Sequence, residues 1–152
     1  MDIKTLLQSL LEHKVQFLVI GAWALPAYGY ERMTRDIDIL INPTDENIQN
    51  TMKALKKTGY DIDELEYKEL FKTKKILFRQ YILHTDIHPF ATGITFEDVW
   101  ESKVETTIKG IKVFIPSLDA LIQMKSAAGR EKDKLDLLFL QEVQKRKNDI
   151  AQ

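Results

Sequence analysis

The sequence contains no cysteine and only four prolines among its 152 residues. Without cysteine, neither a disulfide framework nor a thiolate metal site can form. No stretch approaches the roughly 20 consecutive apolar residues that a membrane-spanning helix needs. The N-terminus, MDIKTLLQSLLEHK, mixes acids with its apolar residues and does not resemble a signal peptide. We therefore expect a soluble, cytoplasmic protein without a membrane partner.

The sequence also has no excess of charge of either sign. It contains 22 Lys and Arg residues and 23 Asp and Glu residues, which gives a formal net charge of −1. No overall basic field indicates binding to nucleic acid or to a membrane surface. A polyanionic substrate would therefore have to be held by a metal ion and a few local cations.

The motifs of several other catalytic classes are absent, namely the Gly-x-Ser-x-Gly elbow, the Gly-x-x-x-x-Gly-Lys-Ser/Thr loop and the His-Glu-x-x-His zinc motif.

The patterns that are present alternate between helical and strand periodicity. Hydrophobic residues make up 44% of the chain and charged residues 30%, enough for a core and a solvated surface. The predicted elements are a helix over 2–14, a strand at Val15–Ile20, a short helix at Ala22–Tyr28, a strand at Thr34–Ile41, a helix from Thr44 to Gly59, one bent or two separate strands within 76–87, a helix at Phe96–Val104 with Trp100 buried, a hairpin around Lys109-Gly110, a helix from Ser117 to Gly129, and a last helix at about Glu131–Arg146.

This order of elements predicts a fold of the α/β or α+β class. We expect a mixed central sheet flanked by helices, followed by C-terminal helices. Because the chain has no internal repeat and no long linker, we expect one domain over residues 1–152. The last helix is predicted to bury Leu135, Leu138, Phe139 and Val143. Residues Tyr60–Leu70 give no clear pattern.

Two acids alternate with apolar residues in the second predicted strand. Successive strand side chains point to opposite faces, so Asp36 and Asp38 share a face while Ile37 and Ile39 turn to the core. Two like charges side by side are costly unless a cation or a proton lies between them. Asp86 ends a later apolar run, and the three carboxylates would converge if that strand lies beside Thr34–Ile41. Charges that protect a strand edge from aggregation are the alternative interpretation.

Three converging carboxylates predict a site for a hard cation such as Mg²⁺ or Mn²⁺, which takes oxygen ligands and leaves positions for substrate phosphates. Two such ions can clamp an in-line phosphoryl displacement. The small-residue turn at Gly21-Ala22 follows a strand and would let backbone N–H groups approach phosphate oxygens. Together these features are typical of a nucleotidyl-transfer site.

A family resemblance rests on these residues. The pattern Gly21-Ala22-x-Ala24…Tyr28-Gly29-x-x-Arg32-x-Thr34-x-Asp36-x-Asp38 resembles the signature of the DNA polymerase β-like nucleotidyltransferase superfamily, and within it the small AbiEii-type and related bacterial proteins. The stretch Gly110-x-x-Val113…Pro116-Ser117…Lys125…Arg130-x-Lys132-Asp133-x-x-Asp136 resembles their second half. The segment Asp86-Ile87-His88-Pro89 is also similar to lincosamide nucleotidyltransferases, and the resemblance covers about residues 15–142.

The resemblance implies a role for each matching position. Asp36 and Asp38 would be metal ligands, and Asp86 the third carboxylate and the base on the attacking hydroxyl. The nucleotide-binding positions would be Gly21, Ala22, Arg32, Thr34, Lys125 and Arg130. At Ala22 the sequence departs from the Gly or Ser usual in the family, so a hydroxyl for the γ-phosphate is absent.

The expected activity is transfer of a nucleoside monophosphate from a nucleoside triphosphate to an acceptor hydroxyl on a protein, an RNA or a small molecule. One alternative is a toxin–antitoxin or phage-defence role through binding of a neighbour-encoded protein, and another is antibiotic modification of the lincosamide type. Lys125 and Arg130 could equally form surface pairs with Asp133 and Asp136. His88 could orient a ligand or a base but is more often structural in such a place, whereas His13 and His84 belong to no recognisable constellation.

Overall fold

The computed structural model describes residues 2–31, 34–79 and 83–151. The α-helices are α1 (Ile3–Glu12), α2 (Asp45–Lys57), α3 (Glu64–Thr73), α4 (Phe96–Glu101), α5 (Leu118–Ala128) and α6 (Glu131–Ala151). The strands are β1 (Phe17–Ile20), β2 (Asp36–Ile41), β3 (Ile76–Phe78), β4 (His84–His88), β5 (Val104–Ile108) and β6 (Ile111–Ile115). The mixture of helices with a mixed sheet confirms the predicted fold class.

Four strands form the main sheet in the order β1-β2-β4-β3. The β1–β2 and β3–β4 pairs are antiparallel, whereas β2 and β4 are parallel. A parallel pair needs a long crossover, which here includes α2, α3 and β3. Strands β5 and β6 form the predicted hairpin, and Lys109 and Gly110 both have positive φ at its turn, as the tightest hairpin turns require.

The two faces of the sheet bury different clusters. One face carries Val19, Ile37, Ile39 and Ile87, all fully buried in the main core with residues of α1 and α2. The opposite face carries a smaller apolar cluster formed by Leu18, Ile20, Leu40 and Val99. On this second face, nearer the start of β2, stand Asp36 and Asp38, so the predicted alternation of acids and core residues is confirmed.

Side-chain caps set several helix boundaries where the sequence predicts them. The Thr44 hydroxyl accepts a hydrogen bond from the Asn47 N–H at 3.3 Å, and the Ser117 hydroxyl accepts one from the Ala120 N–H at 3.1 Å. Gly129, with φ of +62°, ends α5 in the left-handed conformation. These local signals need no tertiary contact, which is why the sequence alone locates them.

Three segments differ from or add to the prediction. The expected short helix at Ala22–Tyr28 is a pair of 3₁₀ turns, Gly21–Ala24 and Pro26–Tyr28, because Pro26 supplies no N–H to continue the first turn. Helix α3 begins within the unassigned region 60–70 and extends to Thr73, and the Asp63 side chain caps it by accepting hydrogen bonds from two N–H groups. Within 76–87 the two-strand alternative is correct.

Helix α4 is shorter than predicted and ends at Glu101. Val99 is its fully buried residue, whereas Trp100 is only half-buried, so the prediction of a buried Trp100 is wrong. The indole stacks on Phe96 with ring centroids 5.6 Å apart, and the Lys103 ammonium lies 4.2 Å from the indole centroid. A cation over its face lets this ring remain partly solvated.

Helix α6 is rotated relative to the prediction and continues past Arg146 to Ala151. Leu135 and Leu138, predicted for its buried face, are 65% and 64% exposed, whereas Asp133 and Asp136 are each 1% exposed. The cause is an ion-pair network with α5 that turns the acids inward. Within the described ranges, no helix combines the length and the apolar character that crossing a bilayer would require.

Candidate active site

The parallel pairing of β2 with β4 brings the predicted carboxylates to one face of the sheet. Asp38 stands directly opposite Asp86, and Asp36 stands opposite His84. Because both strands alternate with the same period, His88 shares this face as well. Asp86 is 6% exposed, whereas Asp36 and Asp38 are partly open to solvent. The strand of Asp86 therefore lies beside the strand of Asp36 and Asp38, which was the condition for the three carboxylates to converge.

These carboxylates line a cavity of about 200 Å³. Its walls come from β2 and β4, the turn after β1, the loop after β4, and the junction of α5 with α6. The predicted site residues that line it are Gly21, Ala22, Thr34, Asp36, Asp38, Asp86, Lys125 and Arg130. Lys75 and Lys132, which were not predicted as site residues, line it as well. Arg32 lies outside the described residues.

Each of the three carboxylates contacts a nitrogen-bearing side chain from β4 or from the end of β3. The contacts are His84 Nδ1 to Asp36 Oδ1 at 3.1 Å, His88 Nε2 to Asp38 Oδ1 at 2.8 Å, and a hydrogen bond donated by Arg79 to Asp86 Oδ1. The hydrogen bond to Asp86 raises the pKa of Arg79, and the charges of Asp36 and Asp38 raise it further. The guanidinium is thus a fixed positive charge beside the buried carboxylate.

The expectation that His84 belongs to no constellation is wrong, since it contacts Asp36. A sequence signal for this contact exists, because His84-x-Asp86-x-His88 has the same two-residue spacing as Asp36-x-Asp38 and would share its face in a parallel pair. Arg79 was missed because its partnership with Asp86 depends on β3 pairing with β4.

The donor chemistry of this face fits a hard divalent cation. The carboxylates of Asp36, Asp38 and Asp86 supply the oxygen ligands that Mg²⁺ and Mn²⁺ prefer, and their strand positions are adjacent. Among the described residues, however, no three acidic or histidine side chains are gathered closely enough to hold one ion. The carboxylates turn instead toward the histidines and Arg79, so residue type and strand position fit a metal, while the side chains are arranged around their nitrogen partners.

Gly21 is fixed by the close approach of Asp38. Its φ is +69°, and a Cβ placed on it would lie 3.1 Å from Asp38 Cγ and closer still to a carboxylate oxygen. Glycine is the residue that satisfies both demands. The next residue, Ala22, is 7% exposed, and its methyl group offers no hydroxyl to a ligand.

Thr34 organises the entry to β2. Its hydroxyl accepts a hydrogen bond from the Asp36 N–H at 3.0 Å. This local turn sets the backbone of Asp36 just before the ladder with β4 begins. The hydroxyl borders the cavity but is occupied by the chain itself.

Lys125 forms a buried ion pair with two acids of α6, and the more exposed Arg130 joins it through Asp133. Lys125 Nζ lies 3.0 Å from Asp133 Oδ1 and 3.2 Å from Asp136 Oδ2. Arg130 Nε donates to Asp133 Oδ2 at 2.6 Å. The network joins α5 to α6 at the cavity wall.

The network shifts the pKa values of Asp133 and Arg130. Burial alone would raise the pKa of Asp133, but hydrogen bonds from Arg130 and Lys125 outweigh it and hold the pKa below the usual carboxyl value. The hydrogen bond to Asp133 raises the pKa of Arg130, and the charge of Asp38 across the cavity raises it further. We call Lys125 and Arg130 the basic wall of the cavity. The effect of Asp38 on the pKa of Arg130 shows that this wall and the carboxylates of the sheet interact electrostatically.

The chain is similar to known nucleotidyltransferases in sequence pattern and in fold. A family profile described as "nucleotidyltransferase of unknown function (DUF6036)" matches residues 1–146. Among curated proteins, none matches the chain significantly in sequence.

Solved structures that share the fold at low sequence identity include the following three. The lincosamide antibiotic adenylyltransferase LnuA, in its lincomycin-bound form, is 19% identical with a TM-score of 0.62, over 93% of this chain and 98% of that chain. The antibiotic-resistance factor ANT(2'')-Ia is 19% identical with a TM-score of 0.63, over 91% of this chain and 80% of that one. TM1012 of Thermotoga maritima, assigned as a nucleotidyltransferase, is 17% identical with a TM-score of 0.60, over 92% and 91%.

Proposed function

The chain belongs to the family of nucleotidyltransferases of unknown function described as DUF6036, and we propose that it transfers a nucleoside monophosphate from a nucleoside triphosphate to an acceptor hydroxyl, with Mg²⁺ or Mn²⁺ as cofactor. The observation that carries the metal-dependent chemistry is the register of Asp38 opposite Asp86, with Asp36 on the same face. Residues 1–152 act as a single domain in this proposal, in the cytoplasm.

The three acids have distinct roles. Asp36 and Asp38 would hold the divalent cation, which would neutralise the triphosphate and stabilise the charge that develops at the α-phosphorus. Asp86 accepts the proton of the acceptor hydroxyl. The acceptor oxygen bonds to the α-phosphorus as the bond from that phosphorus to the α–β bridging oxygen breaks, and pyrophosphate leaves. Arg79 holds the Asp86 carboxylate in place during this exchange.

The nucleotide phosphates lie between the Gly21-Ala22 turn and the basic wall. Arg130 is 54% exposed at its side chain even while it binds Asp133, so it can also face a phosphate. Lys125 is nearly buried and acts mainly by fixing this wall. Arg32 and Thr34 complete the proposed nucleotide-binding set. The absence of a hydroxyl at Ala22 leaves the backbone N–H groups as the donors of the turn.

The experiment is a transfer assay with α-³²P-labelled nucleotides, Mg²⁺ or Mn²⁺, and acceptors from three classes: proteins, RNA and small molecules. We expect labelled product, with release of pyrophosphate, from one of these classes. Asp38→Asn should abolish the transfer, whereas the exposed Glu105→Gln of β5 should leave it unchanged. Full activity of Asp38→Asn would refute the site, and the absence of transfer and of metal-dependent nucleotide binding would refute the function.

A small-molecule acceptor is favoured by one comparison. The similarity to LnuA extends over 98% of that chain, so the two share their architecture nearly throughout. In this form of the proposal the acceptor is an antibiotic of the lincosamide type. Expression in a sensitive host should then confer resistance to lincosamides, and the purified protein should transfer adenylate to lincomycin. A sensitive host and unmodified lincomycin would refute this acceptor.

A second candidate function is the binding of a neighbour-encoded protein in a toxin–antitoxin or phage-defence pair. The observation that favours it is the exposure of Leu135 and Leu138 on α6. Co-expression with the product of an adjacent gene should then give a complex that Leu135→Glu disrupts and Glu142→Gln does not. A monodisperse protein that never associates with such a product would refute this candidate.

A further inference from the structure

Phe90 is a large apolar side chain that lines the active-site cavity while remaining 60% exposed. It follows β4 in the loop that closes one side of the cavity. Among the described residues that line the cavity, it is the one phenyl ring. In the described part of the chain its ring does not stack on another aromatic ring. A flat apolar surface beside the carboxylates is therefore available to a ligand.

The lining of the cavity combines apolar and charged side chains. Besides Phe90, its apolar residues include Ala91, Leu121, Met124 and Ala128. Its charged residues include the three carboxylates of the sheet, Lys125 and Arg130. A ligand that contacts both kinds of side chain needs an anionic part that can bridge to a metal and a planar apolar part. A nucleoside triphosphate has these two parts.

The loop that carries Phe90 is tied to its surroundings. Ala91 and Ile94 form a β-bridge across it, and Gln123 Nε2 of α5 donates a hydrogen bond of 2.6 Å to the Gly93 carbonyl. Gly93 itself sits so close to Ala127 that a side chain on it would collide with the Ala127 methyl group. The backbone of this loop is thus held against α5, which lowers the entropy cost of binding a ligand against its side chains.

The separation along the chain between the carboxylate site and Phe90 also suits a nucleotide. His88 contacts Asp38, and Phe90 lies two residues further along, at most about 7 Å between Cα atoms. Leu77 of β3 is paired opposite Asp86 on the side away from Asp38, and it does not line the cavity.

We propose that Phe90 is the platform on which the base of the nucleoside triphosphate stacks, and that the base is a purine. A purine is favoured over a pyrimidine because its two fused rings cover more of the phenyl face. The inference rests on the proposed function, which it deepens by naming the nucleotide class and a residue that selects it.

The test compares three ligands by calorimetry with Mg²⁺: the α,β-methylene analogue of ATP, the same analogue of CTP, and inorganic tripolyphosphate, which lacks a base. Phe90→Ala should weaken binding of the ATP analogue about 5- to 150-fold, the range for loss of one stacked base. Binding of tripolyphosphate should not change. Phe90→Tyr should restore affinity for the ATP analogue. Leu77→Ala is the matched control, because Leu77 is 51% exposed on the same sheet face but does not line the cavity.

The outcomes separate the two levels of the proposal. The wild-type protein should bind the ATP analogue more tightly than the CTP analogue, and Phe90→Ala should remove that preference. Unchanged binding of the ATP analogue by Phe90→Ala, an equal loss with tripolyphosphate, or an equal loss in Leu77→Ala would overturn the stacking role alone. A wild-type protein that binds neither nucleotide analogue nor tripolyphosphate would overturn the proposed function itself.

Discussion

The carboxylate of Asp38 occupies the space into which a Cβ on Gly21 would project. Asp38 lies in β2, and Gly21 begins the turn that follows β1. The two strands are antiparallel neighbours, and Ile20, the last residue of β1, is paired opposite Asp38. Glycine at this position therefore does more than permit a positive φ, because it also makes room for a proposed metal ligand. The turn and the acid are one structural unit.

Gly21→Ala should disturb both the backbone and Asp38. We expect a loss of about 2–4 kcal/mol in the free energy of unfolding, from the left-handed backbone and from steric overlap together, and a loss of nucleotidyl transfer. Gly110→Ala is the matched control, since Gly110 also has positive φ (+80°) but a Cβ on it would meet no atom within 4 Å. That variant should lose only about 1–2 kcal/mol and keep full activity, as measured by urea unfolding and the transfer assay. Equal losses of activity in both variants would contradict the role given to the Asp38 contact.

Asp86→Asn should remove the proposed base while preserving the shape of the side chain. The amide oxygen can still accept a hydrogen bond from Arg79, so we expect the fold to persist. The kcat for transfer should fall by roughly 10²- to 10⁴-fold, the usual contribution of general acid–base catalysis, with a small change in KM for the nucleotide. Steady-state kinetics beside Glu105→Gln provide the measurement. A large rise in KM with unchanged kcat would show that Asp86 serves binding instead.

Lys125→Met should be among the most destabilising substitutions at the cavity. It leaves the buried carboxylates of Asp133 and Asp136 without the ammonium that lies between them. Loss of one partner from a buried ion pair costs about 3–5 kcal/mol, readable from urea midpoints. Lys134→Met provides the comparison, because Lys134 and Glu131 form an exposed pair whose removal costs about 1 kcal/mol or less. Similar midpoints for the two variants would contradict a stabilising role of the network.

The stability of the protein should depend on pH through Asp133. Its pKa is lowered in the folded chain from the ordinary value of 3.8, so the unfolded chain binds the proton more readily. The stabilisation from ionised Asp133 is therefore complete above pH 3.8 and is lost as the pH falls through the folded pKa. Asp133→Asn should be less stable at neutral pH and should show a flatter decline in acid. Urea midpoints at stepped pH values measure this, and parallel profiles would contradict it.

Much of the acidic face could be predicted from local patterns. The alternation of Asp36 and Asp38 with isoleucines can be interpreted without knowing which strands pair with β2. The isoleucines define the buried face of the strand, so the acids must lie on the other face. The caps at Thr44 and Ser117 are equally local. The two-residue spacing of His84 and Asp86 indicates that they share a face, but the contact of His84 with Asp36 also depends on which strands pair and in which register.

Helix α6 illustrates where the periodicity argument fails. Leu135 and Leu138 suggest an apolar stripe, yet they are exposed. The buried stripe consists of Asp133, Asp136 and Leu140. Burial of two carboxylates is unfavourable unless a cation meets them, and Lys125 belongs to a different helix. A pattern confined to one helix cannot contain that partner, so the choice of buried face is decided by tertiary structure.

The parallel pairing of β2 with β4 also governs when the acidic face can form. Asp38 and Asp86 meet only after the intervening crossover, with α2, α3 and β3, has closed, and the loop entropy of that closure must be overcome before the contact stabilises the chain. Lys125 and Arg130 come from still later in the chain, on α5 and in the turn before α6. During refolding, the proposed metal and nucleotide binding should therefore be acquired after the helical signal has formed, which would make ligand binding a reporter of the last steps of folding.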